Sequence, residues 1–312
     1  MSNMKFITLT LYLNDLVELA NGESIFLKSF NSNQIESFVD FVRSNNLAEE
    51  RIHATGGGAY KYAELFDQEF TQQGIEVLKH DEMASMVNGL SFILKYANRS
   101  SFSVPGSPSK TNNSNAGRLG ASSNEMLRSY EEEKATDFPK LLVTIGSGVS
   151  LIKVNDINNY ERVGGTMIGG GTLMGLSNLL TGIHDFDTII EKAQAGQNAN
   201  VDMLVSDIYG ENSPFKELAG DLLASSFAKV AQDQSVPATG SGAAMENQQA
   251  AQGGSGNTGL SAKYQEQDVL SSLVTMISFN IGQLAYYTAK LHNIRTIYFV
   301  GSYVRNNTLG QQ

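Results

Sequence analysis

The sequence predicts an α/β protein, and three observations carry that prediction. Short apolar runs that read as strands (141–145, 149–154 and 296–300) alternate with segments whose apolar residues recur at helical spacing. The run at 296–300 follows directly on a long helical pattern and closes on Gly301-Ser302. Glycine clusters sit at element boundaries: Gly146-Ser147-Gly148 separates two strands, and Gly169-Gly170-Gly171-Thr172 opens onto a helix.

The elements follow in order. Residues 4–13 and 23–30 read as strands joined by a turn at Asn21-Gly22. Ile35, Phe38, Val39, Phe41 and Val42 give a helix over 33–46 its apolar face, with Asn33 as its cap. Residues 52–55 form a short strand that runs into Gly56-Gly57-Gly58. Helices are expected over 60–72 and 81–97. In the second, Asp81 is the cap, and Met83, Met86, Val87, Leu90, Ile93 and Leu94 share a face. Four more helices are expected near 172–181, 185–195, 200–208 and 221–231. A long one over about 266–293 carries Leu270, Leu273, Val274, Ile277, Ile281 and Leu284 on one side. Residues 99–137 and 232–262 are rich in Ser, Asn, Gln and Gly and poor in large apolar groups, so both read as disordered insertions.

A chain of 312 residues with 41% hydrophobic content can build two domains. A net charge of −10 without a basic block argues against nucleic acid or an anionic membrane as partner. With no cysteine, disulfides, thiolate catalysis and cysteine zinc sites are excluded. His53, His80, His184 and His292 lie far apart without ligand spacing, which argues against a histidine metal site. Neither a signal peptide nor a run of roughly 20 apolar residues is visible. The expected location is therefore the cytoplasm, as cytosol, with the nucleus left open.

Glycine lets backbone amides approach a ligand closely, and a helix start offers unpaired N–H groups and a positive dipole end. Two such turns on consecutive elements suit a polyphosphate or nucleotide. Ordinary hairpin and cap glycines explain each turn taken singly.

The blocks ATGGGAYKY (54–62), DEM (81–83), LLVTIGSGVSLIKV (141–154), YERVGG (160–165), GGGTLMGL (169–176), VDMLVSDIYG (201–210), ASSFAKV (224–230) and IYFVGSYVR (297–305) recur in family order. In them the chain resembles the eukaryotic-type (type II) pantothenate kinases. The resemblance implies two duplicated actin-like, sugar-kinase-like (ribonuclease H-like) domains around a nucleotide cleft, in a homodimer. It implies an enzyme that uses ATP and Mg2+ to phosphorylate pantothenate to 4′-phosphopantothenate, the first step of coenzyme A biosynthesis. It also implies feedback inhibition by acyl-coenzyme A. On this reading residues 1–98 are a partial N-terminal α/β domain carrying the catalytic helix, 99–138 the first insertion, and 139–312 the nucleotide and substrate domain.

Glu82 by position alone is a first-turn acid favoured by the helix dipole; the matched motif makes it the general base. Ser147 and Ser150 are ordinary turn and strand hydroxyls, and the resemblance makes them part of a site shared by substrate and acyl-coenzyme A. Arg162 beside Glu161 would by default be a surface ion pair; the motif aims it at a carboxylate or phosphate. Gly146, Gly148, Gly169, Gly170, Gly171, Gly301 and Ser302 are expected to bind ATP. Gly56-Gly57-Gly58 reads as close backbone packing, either beside the acceptor site or as structure alone. No metal ligand is assigned.

Two pieces of the family pattern are not found in the sequence. One is the opening strand with its Asp-Ile-Gly-Gly-Thr phosphate turn; the other is the helix and glycine turn that follow Val-Gly-x-x-x-Arg-x-Asn-Thr-Leu. Phosphoryl transfer depends on positioning and charge neutralisation, so the expectation is little turnover from this chain alone. The alternative reading is a catalytically incomplete member acting as an acyl-coenzyme A-binding or dimerising regulatory subunit.

Overall fold

A computed structural model describes residues 5–9, 16–18, 22, 24–26, 28, 30, 34–47, 50–96, 101–103, 138–210, 219–233, 263–305 and 307. The chain opens with β1 (Lys5–Leu9), β2 (Leu16–Glu18) and β3 (Ser24–Phe26). Next come α1 (Ile35–Ser44), β4 (Arg51–Thr55), α2 (Gly56–Lys61), α3 (Ala63–Glu69), β5 (Glu76–His80) and α4 (Glu82–Tyr96). The middle holds β6 (Ser101–Ser103), β7 (Lys140–Ile145), β8 (Val149–Asp156), β9 (Asn159–Thr166), α5 (Gly170–Thr181) and α6 (Phe186–Ala195). The last elements are β10 (Met203–Leu204), α7 (Val205–Tyr209), β11 (Leu223–Ser225), α8 (Ala228–Gln232), α9 (Glu266–Leu291) and β12 (Thr296–Val300). The protein is α/β, as expected.

Six strands form one sheet in the order β6-β1-β12-β7-β8-β9. β7 is buried on both faces and lies between β12 and β8, while β9 is an edge strand with a largely exposed pattern. β4 and β5 form a separate parallel pair, and β2 pairs with β3. The chain divides into two compact units. The first holds residues 1–142, 151–163 and 293–298; the second holds 143–150, 164–292 and 299–312.

In the first unit, α1 and α3 bury Val39, Val42 and Phe66, with Phe70 beyond them, against Ile52 of β4 and Val77 of β5. Phe38, Phe66 and Phe70 meet at centroid distances of 6.0–6.5 Å, within the range of favourable edge contacts. In the second unit α9 is the central helix. Val269, Leu270, Leu273, Val274, Ile277, Ile281 and Ala285 are buried, and α5 and α6 pack on it. By length and composition α9 could cross a membrane, but half of that apolar window is buried, the pattern of a core helix.

Two buried carboxylates clasp α9 to the turn that precedes β10. Asp268 accepts from the Gln197 amide at 2.7 Å and the Asn200 side chain at 2.8 Å. Asp202 accepts from Asn198, from Ser272, and from the amide of Phe227, itself at φ +58°. An unpaired carboxylate in such a place would carry a desolvation cost of several kcal/mol, and these donors offset it.

Several expectations change. The strand at 24–26 pairs with 16–18 around the Gly22 turn, whereas β1 pairs with β6. β6 falls inside the first Ser/Asn-rich segment; most of that segment, and of 232–262, lies outside the described residues. Helix α1 starts after Gln34, and Asn33 lies outside the described residues. The helices expected at 200–208 and 221–231 shrink to α7 and α8, because β10 and β11 pair with each other in front of them. β5 was not anticipated: its residues, Glu76-Val77-Leu78-Lys79-His80, offer only two apolar side chains, and its parallel partner lies 25 positions earlier.

Candidate functional site

In the second unit, the hairpin 146–148, the start of α5 and the Gly301 turn converge on one point. Gly146 N–H donates to Gly148 C=O at 2.9 Å and closes the hairpin between β7 and β8. The amides of Gly170 and Gly171 then donate to the carbonyls of Gly146 and Ser147, both at 2.9 Å. Contact this close tolerates no side chain. A Cβ at Gly169, Gly170 or Gly171 would lie 2.8, 2.7 or 3.0 Å from those carbonyl oxygens. At Gly301, with φ +118°, a Cβ would lie 2.2 Å from the Ile145 oxygen. Thr172 completes the corner, its hydroxyl bridging Met167 C=O and Gly169 N–H.

The glycines expected at a nucleotide site are therefore assembled side by side, with a detail that sequence could not show. The Gly170 and Gly171 amides are committed to the hairpin, so they serve as the weld that shapes the corner. The Ser147 hydroxyl at the hairpin tip has no protein partner among the described residues. Ser302 begins a short 3-10 turn to Val304, which donates back to Gly301 C=O at 3.3 Å. Beneath the corner, the Tyr303 ring packs 3.7 Å from where a Gly170 Cβ would stand, and its hydroxyl meets Ser278 at 2.8 Å. Burial pushes the Tyr303 phenol up to about 12, against the opposing pull of its hydrogen bonds to Ser278 and Asn307.

In the first unit, β4 and β5 end side by side, where ligands of parallel sheets characteristically bind. Asp81 Oδ1 accepts from Ala84 N–H at 2.8 Å and caps α4, as expected. Glu82 follows in the first helical turn, exposed, and among the described residues no hydrogen bond or ion pair engages its carboxylate. Its Oε2 would touch a Gly56 Cβ at 3.8 Å, so the carboxylate rests over the left-handed turn (φ +76°) that ends β4. Among the described residues a Cβ at Gly57 or Gly58 meets nothing within 4 Å beyond its own helix, so the close packing expected there is not found. Ser150 lies half-buried on β8, and Arg162 is exposed on β9.

Sequence reasoning missed one constellation. His53 and His80, taken above as far apart, meet at 2.7 Å because β4 and β5 are parallel neighbours. Among the described residues no group of three His, Asp or Glu could hold a metal ion.

Residues 12–312 match the family model described as Fumble. The chain is 35% identical over 302 residues to pantothenate kinase 1 of Arabidopsis thaliana, covering 92% of the chain and 67% of that protein. It is 34% identical to the pantothenate kinase of Schizosaccharomyces pombe, covering 92% of the chain and 63% of that protein. It is also 35% identical to a Mus musculus protein named 4′-phosphopantetheine phosphatase, of which it spans 29%. The chain belongs to the Fumble family, the eukaryotic-type (type II) pantothenate kinases.

Proposed function

We propose that this chain is the kinase portion of a pantothenate kinase, transferring the γ-phosphoryl group of ATP to the primary hydroxyl of pantothenate. One observation carries the reading: Glu82 stands against the Gly56 turn at the carboxyl ends of two parallel strands, and among the described residues no hydrogen bond or ion pair engages its carboxylate. A carboxylate so placed can take the proton of a hydroxyl as its oxygen attacks phosphorus. The hydroxyl oxygen forms the new P–O bond, the bond to the β-phosphate oxygen breaks, and ADP leaves; the proton stays on Glu82 until solvent removes it.

The glycine corner is proposed to bind the nucleotide on the family resemblance; its glycines allow the close backbone approach of hairpin, helix start and Gly301 turn that shapes the corner. Gly146, Gly148, Gly169, Gly170, Gly171, Gly301 and Ser302 are its proposed wall. Ser147, Ser150 and Arg162 are proposed to hold pantothenate or an acyl-coenzyme A inhibitor, the Ser147 hydroxyl as an uncharged donor and the guanidinium fork matching a carboxylate or phosphate. Magnesium would arrive with the nucleotide; the described residues offer no carboxylate cluster of their own for it, and no role above runs through the metal. The same family reading includes duplicated actin-like domains around a nucleotide cleft, a homodimer and a cytoplasmic location.

The test is direct detection of 4′-phosphopantothenate when the folded chain is incubated with ATP, magnesium and pantothenate. Product that depends on all three supports the reading. Nucleotide and pantothenate both bound without product favours the catalytically incomplete member instead, and a folded chain that binds nucleotide but not pantothenate overturns the reading.

A further inference from the structure

The register of β4 and β5 sets Thr55 opposite His80 and His53 opposite Leu78. His53 and Thr55 therefore share one face of β4, and Leu78 and His80 the matching face of β5. The backbone here is held twice, by the parallel ladder and by Thr55 Oγ1, which donates to His80 C=O at 3.1 Å. Nδ1 of His53 lies 2.7 Å from Nε2 of His80, and both side chains are exposed.

The rings are nearly parallel, at 17°, with centroids 4.9 Å apart. That separation is about the N···N contact plus the two ring radii. The imidazoles consequently lie edge to edge in almost one plane, joined by a hydrogen bond, and are not stacked face on face. One ring must donate and the other accept, so at least one ring directs a lone pair at its neighbour. Two imidazole nitrogens this close, on two strands of fixed register, form the beginning of a coordination sphere.

We propose that His53 Nδ1 and His80 Nε2 form a two-imidazole site for a divalent transition cation of the zinc, nickel or copper class. Metal–nitrogen bonds of about 2.0–2.1 Å place two cis ligand nitrogens roughly 3 Å apart. From the present contact of 2.7 Å the nitrogens move to about 3 Å, and each ring swings so that its lone pair turns from the neighbouring nitrogen to a shared cation, a rotation that two exposed side chains allow. Protons balance without loss. The ring that donates in the free pair moves its proton to its outer nitrogen, and both rings then face the cation as neutral ligands. Imidazole selects these metals over magnesium and calcium, which take oxygen ligands. The site is thus chemically distinct from any metal that accompanies a nucleotide. With no third His, Asp or Glu converging among the described residues, water completes the shell. A cation held there would add positive charge at the strand ends that carry Gly56 and Glu82. The inference rests on the strand pairing alone and stands whether or not the kinase reading holds.

The experiment is calorimetric titration of the full chain with zinc chloride, and separately nickel chloride, in buffer containing excess magnesium. One equivalent is expected to bind, and His53→Asn or His80→Asn each to weaken binding at least about tenfold, as loss of a direct ligand should. Circular dichroism establishes that the variants fold. The second readout is the electron paramagnetic resonance of bound Cu2+, with coupling to two nitrogens in the wild type and fewer in either variant. Absence of binding to the wild type, or an affinity unchanged in both variants, overturns the proposal; the latter would place the cation at His184, His292 or a terminus.

Discussion

Replacing Gly301 with alanine tests the welded corner at its tightest point. The new Cβ would stand 2.2 Å from the oxygen and 2.9 Å from the carbonyl carbon of Ile145, and 3.2 Å from its nitrogen. All three are backbone atoms of β7, a strand held on both sides by β12 and β8. They cannot retreat without breaking ladder hydrogen bonds. A non-glycine residue at φ +118° adds backbone strain of about 1–3 kcal/mol. Overpacking adds about 1–3 kcal/mol more, so the variant should lose about 2–6 kcal/mol, a large share of a typical domain's stability. The control is Gly89→Ala in α4, where a Cβ meets nothing within 4 Å and the helical preference of alanine should add about 0.5–1 kcal/mol. Urea unfolding followed by circular dichroism, with the m-value checked for constancy, gives both numbers. A Gly301→Ala midpoint within about 0.5 kcal/mol of wild type would refute the close approach on which the corner is built.

Two further outcomes follow from named groups. The Tyr303 phenol is raised to about 12 by burial, while the unfolded chain ionises it near the ordinary tyrosine value of about 10. Its contribution is therefore complete below about pH 10 and lost as pH rises from there toward about 12, amounting to about 2–3 kcal/mol. Urea midpoints across that window should fall more steeply in wild type than in Tyr303→Phe, and parallel slopes would contradict the assignment. Asp185 accepts from the Thr188 amide and hydroxyl at the start of α6. The Thr188 side-chain hydrogen bond leads in pulling its carboxyl below the usual range. Asp185→Ala should cost about 1 kcal/mol near neutral pH. Because the folded carboxyl titrates below the unfolded one, that difference should shrink as acid protonates it; a difference constant down to pH 2 would show that the cap is not the cause.

The strands at 141–145, 149–154 and 296–300 were legible because they are short, apolar and bounded by glycine. The face of α9 was legible because its period is sustained over about four turns; five of the six residues named for it are buried and Leu284 is half-buried. Features that depend on distant partners were not legible. β5 exists because β4 offers it a ladder, and nothing in Glu76–His80 announces that. Asp268 and Gln197 meet across 71 positions, so the buried clasp has no local signature. The glycine clusters were visible, but which of their amides stay available was not, since only the folded hairpin shows Gly170 and Gly171 already engaged. The histidines failed for the opposite reason. Spacing rules compare neighbours along a chain, whereas His53 and His80 are neighbours across a sheet.

The most direct test of the central claim is Glu82→Gln in a full-length context, in protein whose wild-type form is shown to make phosphopantothenate, assayed for that product and, in parallel, for nucleotide affinity by calorimetry. The amide keeps the shape over Gly56 and removes the proton acceptor, so the loss should fall on kcat, by about 100-fold or more, with nucleotide affinity little changed. Turnover in Glu82→Gln equal to that of wild type would contradict the assignment of Glu82 as the base.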